Sequence, residues 1–486
     1  MKLFSKVTVI VMVLCFFVSP SCAQDVKEAV VKIYTVYNRH NYYDPWQMYR
    51  QEMRSGSGCI IDGGRILTNA HVVGDQTFIQ VKRAGQARKY TAFVKMVAHE
   101  CDLAILGVED NSFFSGVEPL KIGELPRVRD RVAVYGFPQG GDELCITEGV
   151  VSRVEHNWYA HSQEYLLTCQ IDASINPGSS GGPVIKDDKI VGVAFQASSG
   201  ENIGYMVPSP IIEHFLRDIE DDRYDGIPSI GISCQKMENP DIRQSYRMTE
   251  GQTGVLITKI YLGSPARGLL RPEDVILSID GKSIANDGTI EFRKGERTSF
   301  KYLVQSKFIG DTLELQVLRD GELKNVEVKL TKTLDAFHLV PNEQYDTRPV
   351  YYILGGLVFE PLTLNFLKTW GMQWYTDAPR DLVNYYFLGE PTKDRKEVVI
   401  LVKVLADEVN IGYHNRRYEV ISEVNGKKIR DMRDLVDAFE NNKGKYHVIV
   451  NERGYRIVLD REKAKESTQR ILKKYNISSG EFLGEP

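Results

Sequence analysis

Cysteine is scarce in this sequence: seven in 486 residues, with no Cys-x-x-Cys pair. Cys15 and Cys22 fall in an N-terminal segment that reads as an export signal, which leaves Cys59, Cys101, Cys145, Cys169 and Cys234, an odd number. A disulfide framework is therefore not expected, although one bridge stays open, and these residues read as small buried apolar side chains. The nine histidines are scattered without a His-x-x-x-His pair, so no metal site is expected. No Gly-x-x-x-x-Gly-Lys-Ser/Thr run is present to cradle a nucleotide, and no cofactor is expected. Charge of one sign is lacking too: 61 basic against 65 acidic residues leave a net −4. That balance offers no concentrated basic surface, which argues against a nucleic-acid partner. What remains is the composition of a soluble globular protein, 42% hydrophobic and 26% charged, long enough for several domains.

Long apolar runs are absent except once, at Val7–Val18, behind Lys2 and Lys6 and ahead of Ser19-Pro20. Ser21-Cys22-Ala23 then offers small residues at a cleavage spacing, so residues 1–23 read as a signal peptide and Gln24 as the first mature residue. The run is short for a membrane anchor. Lipoprotein anchoring through Cys22 is a minor alternative, because Ser19-Pro20-Ser21 fits its usual sequence box poorly. The expected location is beyond the inner membrane, in the periplasm, with no integral span left after cleavage.

From Val30 to Phe195 short β-rich runs alternate with Gly, Asn, Asp and Pro, the pattern of an antiparallel barrel or sandwich. Pro210–Asp218 carries apolar residues at helical spacing and reads as a closing helix, and the polar stretch 221–228 as a domain boundary. Further on, Asp274–Ile284 is echoed by Glu419–Ile429: each is a strand, an Asp-Gly or Asn-Gly turn and a second short strand. The echo suggests a duplicated module, with two unrelated hairpins as the plainer alternative. Met432–Phe439 reads as a helix of the second copy, and Lys463–Lys474 as a charged, solvated helix.

Three segments carry residues with chemical purpose: Leu67-Thr68-Asn69-Ala70-His71-Val72-Val73, Cys101-Asp102-Leu103-Ala104, and Asn176-Pro177-Gly178-Ser179-Ser180-Gly181-Gly182-Pro183. A serine hydroxyl is a weak nucleophile until a base takes its proton, and neutral histidine is a base near physiological pH. A buried aspartate holds that imidazole in the needed tautomer. Glycines beside Ser180 permit a tight turn whose amides could face a developing oxyanion. The set therefore points to His71, Asp102 and Ser180 as a catalytic triad.

These segments resemble the triad motifs of the HtrA/Deg serine proteases, as do the flanking runs Gly56-Ser57-Gly58, Tyr135-Gly136-Phe137-Pro138 and Asn202-Ile203-Gly204-Tyr205-Met206. Glu201–Tyr205 and Ile284–Thr289 are similar to the plant-type branch, which has a divergent second PDZ module. The resemblance implies a mainly β fold: a chymotrypsin-like double β-barrel protease domain at 24–225, then two PDZ-like α+β modules at 226–335 and 336–475, with a tail at 476–486. It implies an oxyanion hole from the backbone of Gly178, Ser179 and Ser180, and a specificity pocket at Ser174, Ile175, Asn202, Ile203 and Gly204. With no carboxylate at Ser174, small or medium aliphatic side chains are the expected preference. Ser179 departs from the family's usual Asn or Asp. Asp172 is read as structural.

Ser229-Ile230-Gly231-Ile232 resembles a PDZ loop that captures a peptide C-terminus on exposed amides. A closed module that binds nothing is the alternative. In the second module Ile353–Phe359 stands where such a loop would be, but the Gly-Ser-Pro-Ala segment of Gly263–Ala266 has no counterpart, and packing is as good a role as peptide binding. Tyr34, Tyr37, Tyr42, Tyr43, Trp46 and Tyr49 crowd the mature N-terminus. The resemblance implies that this region helps build a trimer, and an arm covering the barrel is the alternative.

The resulting expectation is an ATP-independent serine endopeptidase of extracytoplasmic quality control. Its expected partners are unfolded polypeptides, peptide C-termini and further copies of itself, as a trimer or a multiple of trimers. An inactive peptide-binding chaperone or scaffold and a narrowly specific processing protease are the alternatives.

Overall fold

The structure, a computed structural model, describes residues 26–197 and 203–484. The expected signal segment and Asn202 lie outside the described residues. The first strands are β1 (Val30–Tyr37), β2 (Glu52–Ile61), β3 (Arg65–Thr68), β4 (Gln76–Arg83), β5 (Tyr90–Ala98) and β6 (Leu103–Val108). They close into a barrel in the order β1-β2-β3-β6-β5-β4. A second barrel is formed by β7 (Arg131–Gly136), β8 (Cys145–Trp158), β9 (Tyr165–Ile171), β10 (Pro183–Lys186), β11 (Lys189–Ala197) and β12 (Gly204–Pro208), in the order β10-β11-β12-β9-β8-β7. Closure leaves neither sheet with an exposed edge.

Local chemistry explains the turns. Asp187 and Asp188 join β10 to β11 with φ of 50° and 57°, the left-handed pair that a two-residue hairpin demands and that aspartate tolerates. All six residues of β6 are buried, because this apolar strand lies between β3 and β5. The two barrels share one hydrophobic core, which also takes in the closing helix Ser209–Asp218 through Ile211, Ile212 and Phe215.

The first following module is a sheet in the order Ile232–Lys236, Val255–Ile260, Val275–Ile279, Thr312–Arg319 and Glu322–Lys329, so Ile232–Lys236 is an edge strand. In the second, Leu357–Pro361 lies between Tyr351–Leu354 and Val399–Val404, followed by Glu419–Val424, Tyr446–Asn451 and Arg456–Asp460. The echoed hairpins are alike in space: Asp280-Gly281 and Asn425-Gly426 both turn with positive φ at both positions. Helix Met432–Glu440 buries Met432, Leu435, Val436 and Phe439 along one stripe, and Asp431 caps it by accepting the Asp434 N–H.

Two segments behave differently from their sequence reading. Glu481–Phe482, expected in a tail, pairs with Tyr351–Tyr352 and extends the second module's sheet, while Arg348 covers the Phe482 ring. The N-terminal aromatics reach the second module. Tyr42 is buried in that module's core, Trp46 lies 6.2 Å from Tyr351 edge-on, and Lys403 sits 3.9 Å over the Tyr43 ring while pairing with Asp44. The sequence leaves a trimer contact or a cover for the barrel as the alternatives; within the chain these three rings pack on a module hundreds of residues away. All five cysteines of the described residues are free, and Cys59, Cys101 and Cys169 are buried.

Candidate active site

The three expected residues come from three different connections. His71 sits on the short helix Ala70–Val73, which follows β3; Asp102 lies between β5 and β6 of the same barrel; Ser180 lies between β9 and β10 of the other. The His71 ring Nδ1 faces Asp102 Oδ2 at 2.7 Å, and the His71 backbone N–H donates to Oδ1 at 2.9 Å. Asp102 is fully buried and His71 about a third exposed. Burial by itself would push the Asp102 carboxyl up; the charge and hydrogen bonds of His71 outweigh it and hold the carboxyl below its usual range. Asp102 adopts φ 55°, a left-handed conformation stabilised here by Asn69, whose Nδ2 donates to the Asp102 carbonyl at 2.7 Å.

Asn176-Pro177-Gly178-Ser179 is a turn closed by the Ser179 N–H on the Asn176 carbonyl at 2.9 Å. Pro at its second position and Gly178, with φ 96°, at its third meet the demands of a type II turn. Both peptide planes are pinned: Pro177 O accepts the Gln139 N–H at 2.7 Å, and Gly178 O accepts the Ser57 hydroxyl at 2.8 Å. The Ser57 N–H in turn donates to Ser180 O at 2.8 Å, which ties the first barrel to the serine. Of the three amides expected to face an oxyanion, that of Ser179 is therefore taken up by the turn. Those of Gly178 and Ser180, and the Ser180 hydroxyl, make no hydrogen bond among the described residues. At Gly181, φ is 85° and a Cβ would lie 2.1 Å from Ser57 O, so only glycine fits beside the serine.

Around the expected pocket, Ile175 packs against Gly204, where a Cβ would come within 2.7 Å of the Ile175 side chain. Ser174 O accepts the Thr147 hydroxyl at 2.9 Å, and Ile203 is half-buried. Asp172 is spent on the Val150 N–H, as its structural reading anticipated. In the first module, Ile230 and Gly231 precede the open edge strand, but the Gly231 N–H donates to Ser229 Oγ at 3.2 Å and the Phe337 ring lies against the Gly231 face. In the second module Gly355-Gly356 is a tight hairpin and both edges of Leu357–Pro361 are occupied by the chain's own strands, so no edge there is open for a peptide.

Sequence reasoning missed Ser57, though its motif was noted, and a group of aromatic and imidazole rings beside His71. The His161 ring centroid lies 5.9 Å from that of His71, and Tyr345 stacks on His161 at 4.1 Å. Tyr345 belongs to the second module, ahead of its first strand; no local pattern marks it as a neighbour of His71.

Comparisons with known proteins agree with this architecture. A trypsin-like peptidase domain family matches residues 56–193, and two PDZ domain families match 228–330 and 340–481. Protease Do-like 2, chloroplastic, of Arabidopsis thaliana is 41% identical over 461 residues, covering 93% of this chain and 74% of that protein. Protease Do-like 4, mitochondrial, of the same plant is 41% identical over 453 residues, covering 93% and 84%. Among solved structures, the HtrA-type protease AlgW with tripeptide is similar at a TM-score of 0.50 and 26% identity, covering 63% of this chain and 94% of that one.

Proposed function

The chain belongs to the HtrA/Deg (Do-like) family of serine endopeptidases, and on that premise we propose that it degrades unfolded or damaged proteins through an acyl-enzyme formed on Ser180. Its trypsin-like peptidase domain is followed by two PDZ domains. The observation that carries the reading is the double contact of His71 with buried Asp102, beside a turn that leaves the Gly178 and Ser180 amides without acceptors among the described residues.

Asp102 accepts a hydrogen bond from the His71 Nδ1–H, which keeps that proton on Nδ1 and the lone pair on Nε2. That nitrogen takes the Ser180 proton as Oγ adds to the scissile carbonyl carbon, and the new oxyanion receives the two free amides. Collapse breaks the C–N bond, and His71 returns the proton to the departing amine. Water, deprotonated by the same imidazole, then adds to the ester; a second collapse breaks its C–O bond as His71 returns the proton to Ser180 Oγ, freeing the acid and the serine. With Ser174 uncharged and Ile175 against Gly204, the pocket suits small or medium aliphatic side chains. These are buried in folded proteins and exposed in damaged ones.

The first PDZ domain, with its open edge strand, is assigned to peptide C-termini at Ser229–Ile232; the second, with both sides of Leu357–Pro361 paired, to packing. Among the described residues no helix is long and apolar enough to cross a membrane. The apolar run at Val7–Val18 and relatives named for chloroplast and mitochondrion favour action in an organelle or an extracytoplasmic compartment. A homo-oligomer, a trimer or its multiple, completes the proposal. Exposed Met48, Tyr49 and Met53 remain near the N-terminus to contact another copy. The test is incubation with unfolded casein and with an organophosphonate. Cleavage and covalent labelling, both lost in Ser180→Ala, are expected. Intact casein whose aggregation is suppressed, with no label on Ser180, would identify a chaperone instead.

A further inference from the structure

The N-terminal stretch of the second PDZ domain, ahead of its first strand, meets the protease domain at the histidine. Tyr345 stacks on His161 at 4.1 Å and on His99 at 4.8 Å, and its hydroxyl donates to the His161 carbonyl at 3.2 Å. The next residue, Asp346, accepts from His99 Nε2 at 3.0 Å, and His99 Nδ1 meets His161 Nε2 at 2.9 Å. The order of donors follows from the ends. A carboxylate at His99 Nε2 requires N–H there, so in a neutral His99 the Nδ1 accepts and His161 Nε2 donates. His161 is buried, and desolvation lowers its basicity to about 3, so it places no second positive charge beside His71. The His161 ring lies 5.9 Å from the His71 ring, tilted by 54°, a contact distance for such a pair.

Asp346 also bonds the backbone just past the helix that carries His71. Helix Ala70–Val73 ends where the Gly74 N–H bonds Ala70 O, and the following residue, Asp75, exchanges two hydrogen bonds with Asp346: its N–H donates to Asp346 Oδ1 at 2.6 Å, and the Asp346 N–H donates to its Oδ1 at 2.8 Å. One dipeptide of the second PDZ domain therefore touches both the ring beside the imidazole and the chain just past the helix that carries it.

We propose that Tyr345 and Asp346 are positioning residues for His71, bracing its imidazole through the His161–His99 pair and the Asp75 end of its helix, so that turnover depends on the docking of this N-terminal stretch of the second PDZ domain. The inference rests on the assignment of His71 in the preceding section. Misplacing a catalytic group by an ångström costs rate rather than binding, on the order of tenfold to a hundredfold.

The test uses the full chain. Tyr345→Ala is expected to lower kcat for a peptide substrate about tenfold with KM within about twofold, and to slow phosphonate labelling of Ser180 in parallel. The low-field proton resonance of the His71–Asp102 hydrogen bond should broaden. Tyr345→Phe, which keeps the stack and loses only the hydroxyl, should restore kcat and the resonance. If Tyr345→Ala fails to fold, Tyr345→Leu, which fills space but cannot stack, replaces it with the same expectation. Wild-type kcat in the Ala or Leu variant, a rise in KM at constant kcat, or an equal loss in Phe and Ala would each overturn the proposal. A wild-type protein that takes no phosphonate label would instead sink the serine-protease reading beneath it.

Discussion

Ser57→Ala removes one hydroxyl, and the structure says what that hydroxyl holds. Ser57 is fully buried; its Oγ accepts the Phe137 N–H at 2.9 Å and donates to Gly178 O at 2.8 Å. Alanine leaves both groups in the interior without that partner. An unsatisfied buried donor or acceptor costs about 1–3 kcal/mol, so with partial relaxation the loss should be about 2–4 kcal/mol. For a domain of this size that lowers the Tm by about 5–15 °C. The second effect is on rate. The Gly178–Ser179 peptide loses its anchor, and the amide beside it loses its fixed direction; one misdirected oxyanion donor costs about a hundredfold or more in kcat. Scanning calorimetry gives the first quantity. Hydrolysis of a peptide well below the lowered Tm gives the second, with KM expected to stay within about twofold because the pocket is untouched. Full kcat in a properly folded Ser57→Ala would refute the claim that this hydroxyl sets the oxyanion turn, and unchanged Tm would refute the burial argument.

Three further outcomes follow from the geometry. Asp102→Asn should reduce kcat by about four orders of magnitude with the fold intact, because one amide cannot accept from both the His71 N–H and Nδ1; single-turnover kinetics would show it. Burial raises the Glu164 carboxyl from 4.5 to about 8, with Glu100 and Asp335 adding to the effect, although Asn342 Nδ2 donates to it at 3.1 Å. Its folded form keeps a proton that the unfolded form releases, so its contribution is full below about pH 4.5 and lost as pH rises through about 8. Glu164→Gln should therefore match wild type in denaturant melts at pH 5 and exceed it at pH 8; equal pH slopes would contradict this. Asp274 is buried and holds Arg319 through both oxygens at 2.7 Å, so Asp274→Ala leaves that pairing broken at an expected cost of about 3–5 kcal/mol. Limited proteolysis should then cut first within residues 226–335, and an unchanged cleavage pattern would count against the estimate.

Much of this protein was legible locally. The Asn-Pro-Gly-Ser turn is written in the two residues that a type II geometry requires, and the paired Asp-Gly and Asn-Gly hairpins announce themselves because few residues accept positive φ. The apolar stripe of Met432–Glu440 follows from helical period alone. His71, Asp102 and Ser180 stood out because each sits in a motif whose neighbours have their own structural duties: Asn69 bonding the Asp102 carbonyl, glycine at 181 where no Cβ fits.

What the chain order could not convey is which distant surfaces meet. Nothing near Tyr345 indicates that it will stack on His161, and nothing near Trp46 points to Tyr351, because a ring seeks apolar area without regard to sequence separation. The filled edges of Leu357–Pro361 were equally hidden: a strand carries the same alternation whether its neighbour is a peptide or its own chain. Local dihedral demands determined the elements and the motifs; contact between domains decided what surrounds the imidazole and which sheet edge stays open.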